Sequence, residues 1–497
     1  MSDSATEAGA VRLRTSVGRW VLLTTVLGSG LALLDSTVVN VALPHIGRDL
    51  DADLGALQWI VNAYMLTLAG LILLGGSLGD RYGRRRVFVI GVVWFALASL
   101  LCGVAPDAEV LIAARALQGV GGALLTPGSL ALIQAVFHPD DRAAAVGAWS
   151  GLGGVAAAVG PFVGGWLVDG PGWRWVFLIN LPPAALCVLV ALRHVPETLP
   201  DGGTAGAPRG RYDVSGAALG ALSLAAVTYA LIAAPDRGAS AWVIVPAVVG
   251  LLLGVAFVYV EGRRDEPMLP LEVFGIRQFS AINIVTLFVY AAFSGFFFLS
   301  VIQLQVVVGW SALEAGMALL PTTVLMLLLS ARSGRMAQRI GARIPLTVGP
   351  LLCAVGMLLM TRAGAGAVYW RDVLPGLLVL GLGMVVLVAP LTATVLASVD
   401  VTRAGLASGI NNAAARAAGL IAVAALPLAA GMGPDAYRDP QAFSRTFDRA
   451  MLLCAGLLVV GAALAWATVR APERRVCHPE CEYHCGVTSP PLDPGDA

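Results

Sequence analysis

The sequence predicts an all-α integral membrane protein of fourteen transmembrane helices, built as two six-helix halves with two further helices inserted between them. Three observations carry that prediction. The 497 residues are 58% hydrophobic and only 13% charged, with a mean hydropathy of +0.80, whereas a soluble domain carries about 25% charged residues. Apolar runs of about 20 residues, the length that crosses a bilayer, recur along the whole chain. An Arg-rich loop between two such runs occurs twice, 258 residues apart.

Taken in order, the runs fall near 20–43, 56–76, 87–105, 109–135, 143–168, 174–192, 214–234, 241–260, 281–308, 313–331, 344–361, 373–399, 404–430 and 450–469. The first follows Arg12, Arg14 and Arg19, but it opens a series of similar runs and lacks an early small-x-small cleavage site, so it reads as a retained span. The thirteenth is interrupted by Asn411, Asn412 and Arg416. With the N-terminus inside, the inner segments carry 22 Arg and the outer segments 8. By the positive-inside rule this bias places both termini in the cytoplasm.

The repeated loop is Gly76-Ser-Leu-Gly-Asp80-Arg81-Tyr-Gly83-Arg84 after the second run and Gly334-Arg-Met-Ala-Gln338-Arg339-Ile-Gly341-Ala342-Arg343 after the tenth. The offset pairs runs 1–6 with runs 9–14, and parallel halves of this kind place a substrate near the midplane between them. The expected division is a cytoplasmic tail at 1–19, a first half at 20–195, inserted helices at 196–265, a second half at 266–469 and a cytoplasmic tail at 470–497.

Composition also excludes several functions. All 32 basic residues are Arg and the net charge is +1, which leaves no basic excess for nucleic acid. A chain without Lys has no ATP-binding Gly-x-x-x-x-Gly-Lys-Ser/Thr loop, so the energy source is expected to be an ion gradient, with no cofactor. Cys102, Cys187, Cys353 and Cys454 lie singly in apolar runs and imply no disulfide framework. In the tail, Cys477, Cys481, His484 and Cys485 have an uncommon spacing for zinc, and no metal site is expected.

At these residues the chain resembles the 14-helix drug:proton antiporter branch of the major facilitator superfamily. The loop from Gly76 is similar to that superfamily's Gly-x-Leu-x-Asp-Arg-x-Gly-Arg-Arg motif. The fourth run carries Leu111-x-x-x-Arg115-x-x-Gln118-Gly119, and the fifth Gly160-Pro161-x-x-Gly164-Gly165, with Ala156 where a Gly is usual. Leu34-Asp35-Ser-Thr37-Val-Val-Asn40 through Pro44, Trp59-Ile-Val-Asn62-Ala-Tyr64, Trp173-Arg174-Trp175-x-Phe177-x-Ile-Asn180-x-Pro182 and Pro267-Met-Leu-Pro270-Leu271 resemble features of the 14-helix branch.

Asp35 is the most informative residue, because a carboxylate within a span is costly unless paired or neutralised. At 1.5 Å per residue it lies about 13 Å below the outer surface counted from Pro44, and Arg115 lies about 12 Å below it counted from Asp107. The two share one depth. Burial and a neighbouring guanidinium act in opposite directions on a carboxyl's protonation, which makes such a pair suited to titration; a static pair fixing two helices is the alternative. The resemblance implies proton coupling for Asp35 and Arg115.

In the fifth run, Ala156, Gly160 and Gly164 recur every four residues and Gly147 with Gly151 are expected to extend the stripe, forming a groove for close helix approach beside a kink at Pro161. The resemblance implies an exporter-type hinge or seal there, including Gly165, and a charge-paired latch at the inner surface from Gly76, Asp80, Arg81, Gly83 and Arg84. Gln338 in the second copy confines that latch to the first half. Candidate substrate-cavity residues are Asn40, Asn62, Tyr64, Gln118, the aromatic stripe Tyr290, Phe293 and Phe297, and the polar pair Asn411 and Arg416.

The expected function is proton-coupled export of small amphipathic drugs or antibiotics across a bacterial cytoplasmic membrane by a multi-pass protein acting as a monomer, with the lipid bilayer its only other partner. Metabolite uptake and a non-transporting ligand sensor are the alternatives. An enzyme is not expected, since no nucleophile–base set or metal cluster lies within the spans.

Overall fold

The computed structural model describes residues 11–197, 213–264, 267, 269–400, 404–433 and 439–469. Within them, fourteen helices are long and apolar enough to cross a membrane. They are α1 (Ser16–Asp49), α2 (Leu54–Tyr82), α3 (Arg84–Gly103), α4 (Ala108–Val136), α5 (Pro139–Asp169), α6 (Trp175–His194), α7 (Val214–Arg237), α8 (Ala241–Glu261), α9 (Arg277–Ile302), α10 (Ala312–Ala318 continuing as Leu320–Ile340), α11 (Arg343–Leu359), α12 (Leu374–Ala397), α13 (Ala404–Ala430) and α14 (Pro440–Thr468). All fourteen expected spans are present. Two differ instructively from their apolar runs. α14 starts ten residues early, because an Asp439 cap holds the amides of Gln441 and Ala442 and extends the helix through Arg445, Asp448 and Arg449. α6 is interrupted near Asn180, where Pro182 and Pro183 open its longer segment at positions that need no intrahelical donor.

The repeat is visible in the backbone. α2 and α3 are joined at Gly83 with φ 101°, and α10 and α11 at Gly341, 258 residues later, with φ 84°. Both turns occupy the left-handed region that favours glycine. The side of the molecule bearing these turns is termed the loop face, and the other the far face.

α1 packs on α4, α5 and α6, while α2 and α3 pack on α4; in the second half α9 packs on α13 and α14, and α11 on α12 and α14. The inserted α7 and α8 pair with each other, and α7 touches both α2 and α13. α8 carries exposed Trp242, Leu251, Leu252 and Val255, an apolar surface matched to lipid rather than water.

Contacts joining the two halves cluster towards the far face. Asp169, at the end of α5, accepts from the amides of Ala312 (3.1 Å) and Leu313 (2.8 Å), so a carboxylate satisfies the first orphan donors of α10 at its positive end. Gln305 Nε2 donates to Val41 O (2.8 Å), and Gln58 Nε2 to Val423 O (2.6 Å). Gly165 lies so close to Ala312 and Leu313 that a Cβ there would overlap their backbone, and a Cβ on Gly316 would overlap Pro161 O. Nearer the loop face the helices part. At 100° per residue, Gly147, Gly151 and Gly154 share Gly165's face of α5 to within about 40°, yet a Cβ on any of them would meet nothing within 4 Å. The halves are therefore sealed at the far face and splayed along α5 towards the loops.

Candidate functional site

The centre of the first half is a polar cluster sealed from solvent. Asp35 is 0% exposed and Arg115 1% exposed. Arg115 Nη1 donates to Asp35 Oδ2 at 2.6 Å and to Gln118 Oε1 at 2.6 Å, and its Nε donates to Ile60 O at 3.1 Å. The second carboxylate oxygen, Asp35 Oδ1, accepts from Gln118 Nε2 (2.8 Å) and Asn180 Nδ2 (3.2 Å). Both amides also donate to Ser99 Oγ, which donates in turn to Phe177 O. The guanidinium lies over the Tyr64 ring, 4.3 Å from its centroid. Five helices thus meet in one polar cluster: α1 supplies Asp35, α2 Tyr64, α3 Ser99, α4 Arg115 and Gln118, and α6 Asn180.

Each partner is placed by local chemistry. Arg115 and Gln118 are three residues apart on α4 and therefore neighbours on one face. Asn180 sits at the junction of the two segments of α6, two residues before Pro182, and reaches the cluster from there. The shared depth of Asp35 and Arg115 follows from helix rise alone. Gln118 corrects the expectation that it lines the substrate cavity: it is 0% exposed and fully engaged with Asp35, Arg115 and Ser99. Ser99 was without any sequence signal, and Asn180 had only its place in a motif.

The remaining candidates divide into three groups. Asn411 Nδ2 donates to Asn283 Oδ1 (3.2 Å) and Thr286 Oγ1 (2.8 Å) of α9, an interhelical bridge, and Asn40 donates to Ser36 O of its own helix. Tyr290 and Phe293 pack edge to face with centroids 6.2 Å apart, as Phe296 and Phe297 do at 5.2 Å; Phe293 is 5% exposed and belongs to the core. Asn62, Tyr64 and Arg416 stand apart. The amide of Asn62, the hydroxyl of Tyr64 and Nε of Arg416 are all buried without a hydrogen-bond partner. Asp448 is an addition from the structure: with α14 starting at Pro440, it joins Asp35 as an acid well inside a span, and its Oδ1 is also without a partner.

On α5 the stripe splits. A Cβ on Gly160 would collide with Thr37, and one on Gly164 would press on Val38, so these two glycines seat α5 against α1 within one half. Gly165 and Pro161 instead meet α10 across the interface. Gly147 and Gly151 do not extend the α1 groove as expected. Thirteen residues separate each from Gly160 or Gly164 respectively, and 13 × 100° rotates them to another face.

At the loop face, Gly83 sits against Glu197, whose carboxylate accepts from Arg85 N (3.2 Å) and lies near Arg85 Nε (3.4 Å) and Arg86 Nε (3.6 Å). Arg85 Nη1 donates to Val195 O, and Arg84 Nη1 to Ala131 O. These contacts tie the α2–α3 turn to α4 and α6 of the same half. Glu197 is a member of this cluster that the sequence reading missed. Gly76 and Arg81 lie in the last turns of α2; the side chain of Asp80 lies outside the described residues, as do Cys477, Cys481, His484 and Cys485. Among the described residues no group of three or more His, Cys, Asp or Glu is placed to hold a metal. Trp173 Nε1 (2.8 Å) and Arg174 Nη1 (2.7 Å) both donate to Asp49, fastening the far end of α1 to the start of α6.

The family model for the Major Facilitator Superfamily matches residues 25–423. The chain belongs to the major facilitator superfamily. Relatives of this major facilitator protein include a probable actinorhodin transporter of Streptomyces coelicolor, 37% identical over 82% of this chain and 72% of the relative. A puromycin resistance protein of Streptomyces alboniger is 36% identical over 90% of this chain and 91% of its own length. A tetracenomycin C resistance and export protein of Streptomyces glaucescens is 35% identical over 82% and 74%. Among solved structures, the POT family transporter PepTSo superposes with a TM-score of 0.65 at 14% identity, covering 90% of this chain and 97% of that one. That likeness shows the shared fold. By family the protein is a transporter and not an enzyme.

Proposed function

We propose that this protein is a proton-driven exporter of small amphipathic drugs or antibiotics in a bacterial cytoplasmic membrane, acting as a monomer with both termini in the cytoplasm. The observation that carries the proposal is the Asp35 carboxylate, buried in a span and held by donors from α4 and α6. Protonating it removes the charge that Arg115 balances, and an unbalanced charge in low dielectric costs several kcal/mol. Helices α1, α4 and α6 must then readjust, which couples proton occupancy to the arrangement of the first half. The names of the relatives, resistance and export proteins for several antibiotics, support the drug-export reading.

The 22-to-8 Arg bias makes the loop face cytoplasmic, so the splayed arrangement along α5 is inward-open and the Asp169, Gln305 and Gly165 contacts form the outer seal. Alternating access would rock the half at 20–195 against the half at 266–469, with the loop of Gly76, Asp80, Arg81, Gly83 and Arg84 latching the inner side when it closes. A proton gradient is the energy source and no cofactor is required. The test is flux in inverted vesicles: an imposed gradient drives antibiotic accumulation, and collapse of the gradient abolishes it. Accumulation that persists without the gradient overturns proton coupling, and movement in the opposite direction overturns export.

A further inference from the structure

Among the described residues, Arg416 is a cation of the interior that the proton site leaves unused. It lies in α13, partly exposed, and its Nε is buried without a partner. It makes no hydrogen bond or ion pair with any described residue, and its electrostatic neighbours are the hydroxyls of Tyr64 on α2 and Tyr290 on α9, one from each half. A guanidinium does not lose its proton to escape this situation. An arginine inside a span is normally matched by a carboxylate or by backbone carbonyls. Asp35 is already taken by Arg115, and Asp448 forms no ion pair with Arg416 or with any other described residue.

Its position fits a ligand site. Gln58 of α2 meets Val423 of α13 in the far-face seal. Because α2 and α13 run in opposite directions, stepping one turn along α2 reaches Asn62, whose amide has no partner, and stepping seven residues back along α13 reaches Arg416, about 10 Å below the seal. Asp35 lies six residues, about 9 Å, from Val41, which accepts from Gln305 in the same seal. Arg416 and the proton site therefore flank Tyr64 at similar depth, where the halves begin to separate.

Resting on the export reading above, we propose that the substrate is an organic anion: a small aromatic molecule whose carboxylate or phenolate is received by Arg416, with its ring against Tyr290 and its polar groups within reach of Asn62 and Tyr64. Planar anion recognition by a guanidinium beside aromatic faces is what this constellation supplies. The proposal has an electrical consequence. Exchange of one monoanion outward for one proton inward carries two positive charges inward, whereas exchange of a monocation for a proton carries none.

The test uses the full chain in nanodiscs of zwitterionic lipid with three matched fluorescent probes: anthracene-9-carboxylate, anthracene-9-carboxamide and 9-(aminomethyl)anthracene. The expected result is at least tenfold tighter binding of the carboxylate than of the amide. Arg416→Gln should remove that difference while keeping amide affinity, and Arg416→Lys should keep most of it, which separates charge recognition from misfolding. Equal affinities in the unaltered protein, preference for the amine, or a preference that survives Arg416→Gln overturns the proposal. The same probes in proteoliposomes report on the export reading independently. Carboxylate efflux accelerated by an inside-negative potential supports both. Selective carboxylate binding with no gradient-driven flux keeps the anion site and overturns export, while driven flux of the amine alone keeps export and overturns the anion site.

Discussion

Replacing Gly165 by Ala adds one methyl group where α5 crosses α10, and that methyl overlaps the backbone of Ala312 and Leu313. Backbone cannot swing aside as a flexible side chain can, so overpacking of this kind costs about 1–3 kcal/mol. The cost falls on the arrangement sealed at the far face, because Gly165 touches the second half only there. At 1.4 kcal/mol per factor of ten, the equilibrium should move away from the inward-open state by roughly 5- to 150-fold. Gly160→Ala is the control: its methyl collides with Thr37 inside one half, a contact that rigid-body rocking does not change, so it should lower thermal stability without moving the equilibrium. Cys at position 154 is a suitable reporter, since Gly154 lies on the α10-facing side of α5 and is exposed with nothing within 4 Å. With the native cysteines replaced, modification of that thiol by a membrane-impermeant reagent from the loop face should slow in Gly165→Ala and stay unchanged in Gly160→Ala. Equal labelling in both variants, or a Gly165→Ala protein that is merely less stable, would refute the distinction between a seal and a packing stripe.

Removing Arg115 as Arg115→Ala should either destabilise the protein by about 3–5 kcal/mol or leave Asp35 protonated; in both cases gradient-driven efflux disappears, and a wild-type pH profile of transport in this variant would show that the pair is not coupled to it. Glu197→Gln weakens the contacts with Arg85 and Arg86 and should lower stability by about 1–2 kcal/mol, read as a lower melting temperature with drug affinity unchanged. Asn411→Leu breaks the bridge to Asn283 and Thr286 and should cost about 1 kcal/mol of stability; a selective loss of drug binding with normal stability would instead make Asn411 a substrate contact.

Much of this arrangement was legible because its physics is one-dimensional. A bilayer demands about 20 apolar residues at each crossing, so the spans could be read directly, and helix rise alone brought Asp35 and Arg115 to one depth. Rotation about a helix was partly legible: it grouped Gly160 with Gly164, but the four-residue spacing of Gly147 and Gly151 wrongly joined them to the stripe across a five-residue step from Ala156, and that step turns them to the face that Gly165 presents to α10. What depends on several helices meeting was not legible. Ser99 is one serine in an apolar run, and only the convergence of α3, α4 and α6 makes it a hub for Gln118 and Asn180. Asp448 and the early start of α14 were hidden because Arg445, Asp448 and Arg449 interrupt the apolar pattern in the second and third turns of the helix and look like loop. Arg416 was visible as an interruption of an apolar run, but its lack of a counter-charge appears only when its neighbours are known.

The central claim is that titration of Asp35 drives export, and the most direct measurement is substrate-induced proton release from the purified protein in proteoliposomes, comparing the native chain with Asp35→Asn. The amide keeps the shape of the side chain and most of its hydrogen-bonding capacity while removing the titrating group. The account predicts that Asp35→Asn is folded and still binds substrate, but releases no protons on binding and performs no uphill transport. Proton release and driven efflux at native levels in Asp35→Asn would contradict it.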